Sequence, residues 1–220
     1  MPSAGRIGSS VRLAWLARLA GEAMALYVRL VAATCRVSGA VTREQVVLTF
    51  WHEFNLATLV VAYKLRGDLP HASFSTEGFR GVVITTCFLR LARPGRALPL
   101  PPESDRAAGR DFALRLARLG KEGYSVVVTP DGPFGPYRTA KPGALIVARA
   151  SSLPIVPWAF RARPSLRLTR RWDRQLVPLP FGRLRVSQGT PVVMAPRERV
   201  ERRVADLQAE LDSVTARAAP

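Results

Sequence analysis

Lysine is almost missing from this sequence. Only Lys64, Lys121 and Lys141 occur, so nearly all of the 33 basic residues are arginine. Acids are also scarce, at 16, and the formal net charge is +17 with a pI near 11.5. Cysteine is limited to Cys35 and Cys87, which form neither a metal-ligand spacing nor a disulfide framework. That pattern favours a reducing compartment and gives no metal site. No run of about 20 uncharged residues exists, which excludes an ordinary spanning helix. No small-residue cleavage site follows the apolar N-terminal part, which argues against a signal peptide. No internal repeat is present.

What is there is a globular composition: 48% hydrophobic and 22% charged over 220 residues. That length buries a sizeable core without staples. The basic excess favours an anionic partner, whether nucleic acid, an anionic membrane or a phosphorylated substrate. Residues 1–40 read as an N-terminal amphipathic segment. Arg12, Arg18, Glu22, Arg29 and Arg36 interrupt its apolar residues, with Trp15, Leu16, Leu19 and Tyr27 among the rest. Such a helix lies in a membrane interface, packs on the domain, or does both.

Between 41 and 196, strand-like and helix-like segments alternate. Strands are expected at Val46–Trp51, His71–Ser75, Ala97–Leu100, Tyr124–Thr129, Ile155–Phe160, Leu166–Thr169 and Arg183–Ser187. Helices are expected at Glu53–Leu65, Glu77–Arg90, from Ser104 or Asp105 to Leu119, and Gly143–Ala150. Residues 197–220 form a C-terminal amphipathic helix with Val200, Val204, Leu207, Leu211 and Val214 on one stripe. The expected fold is a single α/β domain: a mixed, mostly parallel sheet flanked by helices. Ligands in such sheets bind at the C-terminal strand ends. That places Trp51–His52 and Thr129–Pro130–Asp131 along one edge.

His52 follows a buried-type strand and opens a helix, a rigid position suited to a general base. Glu53 should point away from it, and Asn55 at i+3 could face it. His71 reads as structural. Asp131 sits in V-V-V-T-P-D-G-P-F-G-P, where prolines fix φ and glycines permit close backbone approach. Such a turn orients a carboxylate or offers N–H groups to an anion; it is also an ordinary tight turn. Lys141 opens a helix against its dipole, which hints at an anionic partner. Between Arg161 and Arg185 stand eight arginines with one acid, Asp173, and with Trp172 and Phe181 interleaved. That pattern suits a membrane interface or a nucleic-acid surface.

Several strings come together in a fixed order: His52 after an apolar strand, S-F-S-T-E-G at 73–78, T-P-D-G-P-F-G-P at 129–136 and K-P-G-A-L at 141–145. P-I-V-P at 154–157, W-D-R-Q-L-V-P-L-P-F at 172–181 and Q-G-T-P-V at 188–192 follow. In these the chain resembles the lysophospholipid acyltransferase superfamily, in the branch long filed as a domain of unknown function.

The resemblance implies a glycerolipid acyltransferase-like fold. It also implies transfer of a fatty acyl group from acyl-CoA or an acyl-carrier protein to a lysophospholipid-like or other lipid acceptor. No cofactor is implied beyond the thioester donor. His52 matches the histidine of the family's H-x-x-x-x-D, and Asp131 takes the place of the glutamate in F-P-E-G. Gly132, Pro133 and Lys141 then fall on the acceptor side. The H-x-x-x-x-D aspartate is replaced by Ala57, so Glu77 becomes the candidate partner of His52. The branch's Arg-Gly-Ser-Ser segment is missing.

The expected partners are an anionic membrane surface, the thioester donor and the lipid acceptor. Nucleic acid is not expected, because no zinc spacing, helix-turn-helix or RNA-binding aromatic motif appears. The expected location is the cytoplasmic side of the cell membrane, held peripherally. The alternative is a catalytically impaired lipid- or membrane-binding protein on the same fold.

Overall fold

The sheet is organised around a strand of only three residues. β2 (Val47–Thr49) is fully buried and lies between two parallel neighbours, β5 (Ser125–Val128) and β6 (Ile155–Arg167). An apolar run covered on both faces is what a central parallel strand requires. The computed structural model describes residues 4–100 and 106–219, with side chains from 12–100 and 108–219. The expected helix cap at Ser104 or Asp105, and the strand stop at Pro101–Pro102, lie outside the described residues.

The other strands are β1 (Arg36–Ser38), β3 (His71–Ser75), β4 (Gly95–Pro99) and β7 (Leu176–Gln188). Their order is β1-β7-β6-β2-β5-β3-β4, and every neighbouring pair is parallel except β6 with β7. The helices are α1 (Ala4–Thr34), α2 (Asn55–Arg66), α3 (Gly78–Leu91), α4 (Arg106–Lys121), α5 (Gly143–Ser151) and α6 (Val200–Ala218). Helices α1–α3 pack together on one face of the sheet and α4–α6 on the other. This is the single-domain α/β arrangement that the alternation of segments predicts.

Two departures matter for the site. Of the expected short strand at Leu166–Thr169 only Leu166 and Arg167 are strand, as the end of the 13-residue β6, and the expected Arg183–Ser187 is part of the 13-residue β7. β6 pairs with β2 only as far as Pro157 and then runs on to Arg167 before the chain turns back. The connection at 168–175 therefore overhangs the C-terminal edge of the sheet. Arginine-rich strands hide their strand character from a reading based on apolar content.

The N-terminal helix packs on the domain, one of the two placements expected for it. Its inner side (Ala17, Ala25, Val28, Val31 and Ala32) is buried. Trp15, Leu16, Leu19, Leu26 and Leu30 are all exposed. At about 3.6 residues per turn these five share about a third of the helix circumference, so the outer arc is mainly apolar, with Arg12 as a charge within it. Tyr27 is not on that arc; its hydroxyl donates to the Pro178 carbonyl at 2.7 Å. No helix of the described residues is long and apolar enough to cross a membrane.

A buried arginine closes the opposite end of the sheet. Arg66 donates to the Glu44 carbonyl at 2.9 Å, to Ser125 Oγ at 2.8 Å and to the Thr42 carbonyl. Its Nε approaches His71 Nε2 at 3.5 Å, while His71 Nδ1 donates to the Leu69 carbonyl at 2.7 Å. Burial, with the Arg66 charge, lowers the His71 pKa from 6.5 to about 4. His71 is thus structural, as expected. Between those values the unfolded chain binds the extra proton, so this group makes stability fall as pH drops from about 6.5 to 4. Urea unfolding across that range should show a loss approaching roughly 3 kcal/mol. The loss should be largely absent in His71→Gln.

Candidate active site

The pairing of β2 with β5 builds the site from the backbone outward. Thr49 is in register with Val128, so the chain leaves both strands side by side. Phe50 and Trp51, both buried, anchor the first exit, and a 3₁₀ turn at His52–Phe54 starts immediately after them. The second exit is the turn from Thr129. Asp131 is completely buried there. Its Oδ1 accepts the His52 backbone N–H at 2.9 Å, and its Oδ2 accepts that of Arg138 at 3.2 Å. Burial raises its pKa, and these backbone donors pull it back. The aspartate therefore ties the two exits together and does not face the open site.

The glycines of this turn are needed for close approach. A Cβ on Gly132 would lie 2.7 Å from Thr129 Oγ1 and 2.8 Å from His52 Cδ2, so the imidazole rests on its bare backbone. Gly135 has φ +81°, and a Cβ there would meet Trp172 at 3.0 Å. The ring of Trp172 in turn sits 5.0 Å from that of His52.

The carboxylate on the imidazole is Asp173. Its Oδ2 lies 2.9 Å from His52 Nδ1. A carboxylate can only accept, so Nδ1 is the donor, and in the neutral imidazole the lone pair is on Nε2. Arg171 forks onto the same carboxylate, Nε to Oδ1 and Nη2 to Oδ2, both at 2.8 Å. Burial alone would raise the Asp173 pKa; the bonds from Arg171 and His52 more than reverse this and hold it below the usual carboxylate range.

Glu77, the candidate partner, is exposed at the start of α3 and makes no hydrogen bond or ion pair among the described residues. Its strand, β3, is separated from β2 by β5, which puts it one strand too far from His52. Asp173 was visible only as the single acid among the arginines and within W-D-R-Q-L-V-P-L-P-F. Its role depends on the overhang of β6, which no local pattern announces.

Glu53 turns away from His52, as expected for its neighbour, into a buried cluster. Tyr137 donates to it at 3.1 Å and Arg138 Nε at 2.6 Å, and Arg167 adds a further ion pair. Gln175 Nε2 holds the Glu53 carbonyl at 2.9 Å. Arg167 and Gln175 flank the loop that carries Asp173, so Glu53 braces that loop against the histidine turn.

His52 opens onto a cavity of about 500 Å³. Its walls are mainly apolar: Leu56, Leu59, Phe74, Ile84, Phe88, Leu91 and Val127 among others. Asn55, Pro133, Arg80 and Arg171 also line it, and the buried Thr58 hydroxyl there has no hydrogen-bond partner among the described residues. Lys141 is half-buried, with Nζ 3.5 Å from the Gly132 carbonyl. Of the sequence-derived candidates, His52, Gly132, Pro133 and Lys141 gather at this edge, Asp131 supports it from beneath, and Glu77 stands apart. Among the described residues no group of three or more His, Cys, Asp or Glu side chains is placed to hold a metal ion.

Two substitutions test this geometry. The Asp173 contribution to stability is present above the ordinary carboxylate pKa near 3.8 and is lost as pH falls through the depressed folded value. Asp173→Asn should therefore be about 1–3 kcal/mol less stable than the parent at pH 7, with the gap closing below about pH 4. Gly132→Ala should displace the imidazole while the fold persists. The His52 ring-proton resonances, shifted by the adjacent Trp172 ring, report that movement.

Comparison with known proteins places the fold. The structure is similar to the crystal structure of the 1-acyl-sn-glycerophosphate (LPA) acyltransferase PlsC from Thermotoga maritima, with a TM-score of 0.52 at 15% sequence identity. The likeness covers 90% of this chain and 77% of that one. In sequence, 99 residues, 44% of this chain, are 29% identical to an uncharacterized protein of Rickettsia prowazekii (strain Madrid E), and they span 44% of that protein's length. No family model matches the chain. The fold is thus glycerolipid acyltransferase-like: an α/β domain with a mostly parallel seven-stranded sheet and an N-terminal helix.

Proposed function

We propose that this protein is an acyltransferase that moves a fatty acyl group from acyl-CoA or an acyl-carrier protein to a lysophospholipid-like or other lipid acceptor. One observation carries the reading: a histidine with its Nδ1 on a buried carboxylate, placed at an apolar cavity large enough for a lipid chain. His52 Nε2 takes the proton of the acceptor hydroxyl as its oxygen attacks the thioester carbonyl. Asp173 holds the tautomer and balances the imidazolium that forms. The tetrahedral oxyanion is stabilised by Arg80 or Arg171, the guanidiniums that line the cavity, at about 3–4 kcal/mol for a well-placed donor. Collapse expels the thiolate of the donor. No further cofactor enters the reaction.

The protein would work as a peripheral enzyme on the cytoplasmic side of the cell membrane. The exposed arc of α1 supports this. Thr34 Oγ1, at the end of that arc, accepts the Phe181 N–H at 3.1 Å. Phe181 is 82% exposed and extends the apolar stripe from the helix onto β7. Flanking arginines would add about 1 kcal/mol each against an anionic bilayer. Nucleic acid has no part in this reading.

Purified protein should consume acyl thioester in the presence of lysolipid, and His52→Ala should lower that rate by about 10²–10⁴-fold. Equal rates for the two proteins would reject the mechanism. A parent that binds lipid but turns over no thioester would establish the non-catalytic lipid-binding alternative. Flotation with anionic vesicles should be lost in the pair Leu26→Glu and Leu30→Glu.

A further inference from the structure

The reaction above leaves the arginines of β6 unused. Arg161, Arg163 and Arg167 line a second cavity of about 230 Å³, together with Arg138, Ser165 and the last turn of α6. Among the described residues the only carboxylate bonded to any of the four guanidiniums is Glu53, which takes Arg138 and Arg167. Arg161 is half-buried, and neither it nor Arg163 has a side-chain acceptor among the described residues.

Strand pairing adds to the excess. Arg161 stands opposite Arg185, Arg163 opposite Arg183, and Arg183 opposite Arg36 on β1. Like charges directly across a sheet destabilise it unless a counter-charge lies between them. A concave site of one sign also concentrates the opposite ion. The cavity is less than half the volume of the one at His52, too small for a lipid chain and well sized for a phosphate group.

We infer that this cavity is a phosphate-binding site, distinct from the acyl cavity, in which Arg161 and Arg163 fork onto the oxygens of a phosphate ester. Guanidinium forks match phosphate geometry and stay charged at any physiological pH. The shared chemistry has two sources: a soluble phosphorylated molecule, such as the nucleotide portion of a thioester donor, or a lipid headgroup. The inference does not depend on the acyl-transfer reading.

Isothermal titration of the full chain with inorganic phosphate, at ionic strength held constant with chloride, tests it without thioester or acceptor. Saturable binding is expected. It should weaken at least 10-fold in the double variant Arg161→Ala/Arg163→Ala and in Ser165→Asp, which sets a carboxylate in the cavity. Should the double variant fail to fold, Ser165→Asp alone decides. Competition by phosphatidic acid vesicles would assign the site to a headgroup; its absence, with phosphate still bound, would assign it to a soluble ester. No saturable binding, or binding unchanged in the folded variants, would overturn the inference.

Discussion

One buried carboxylate holds the working edge of this protein together. Asp131 accepts the backbone N–H of His52 at 2.9 Å, and this bond joins the end of one strand to the turn after its neighbour. Everything that matters at the edge is placed relative to that junction. Gly132 follows at once and presents bare backbone to the imidazole; Gly135 does the same for Trp172. A carboxylate buried this deeply is sustained only because backbone donors surround it. The prolines and glycines of the turn therefore serve the histidine's position more than any contact of their own.

A second buried acid works in parallel. Glu53 sits beside His52 in sequence but on the opposite side of the chain, where Arg138, Arg167 and Tyr137 satisfy it. Its guanidinium partners come from the turn after β5 and from β6. The two segments that must meet at the imidazole are thus also joined behind it. The loop that carries Asp173 to the imidazole is braced electrostatically, through a carboxylate whose burial limits screening.

Much of the fold was legible in the sequence. The β-branched run at 46–51, the stripe from Val200 to Val214 and the strand at His71–Ser75 announced themselves by period and composition. The joint position of His52 and the Asp131 turn followed from strand order alone, because parallel neighbours end on the same edge. The partner of His52 did not follow. Glu77 had the right chemistry and a plausible place, but β5 separates its strand from that of the histidine. Asp173 lay in a stretch whose arginines concealed two long strands. On α1 the exposed Trp15, Leu16 and Leu19 were legible as apolar surface, whereas Tyr27, grouped with them, turns inward to the Pro178 carbonyl.

The distance along the chain between His52 and Asp173 has a further consequence. The two are 121 residues apart. During synthesis at about 5–20 residues per second, the histidine precedes its acid by roughly 6–25 s. Through that interval its strand, turn and cavity wall can form, but the imidazole has no carboxylate to fix its tautomer. The pair is completed only when β6 has overshot the sheet and β7 has returned along it. The scaffold around His52 can thus form before the acid that pairs with its imidazole has been synthesised.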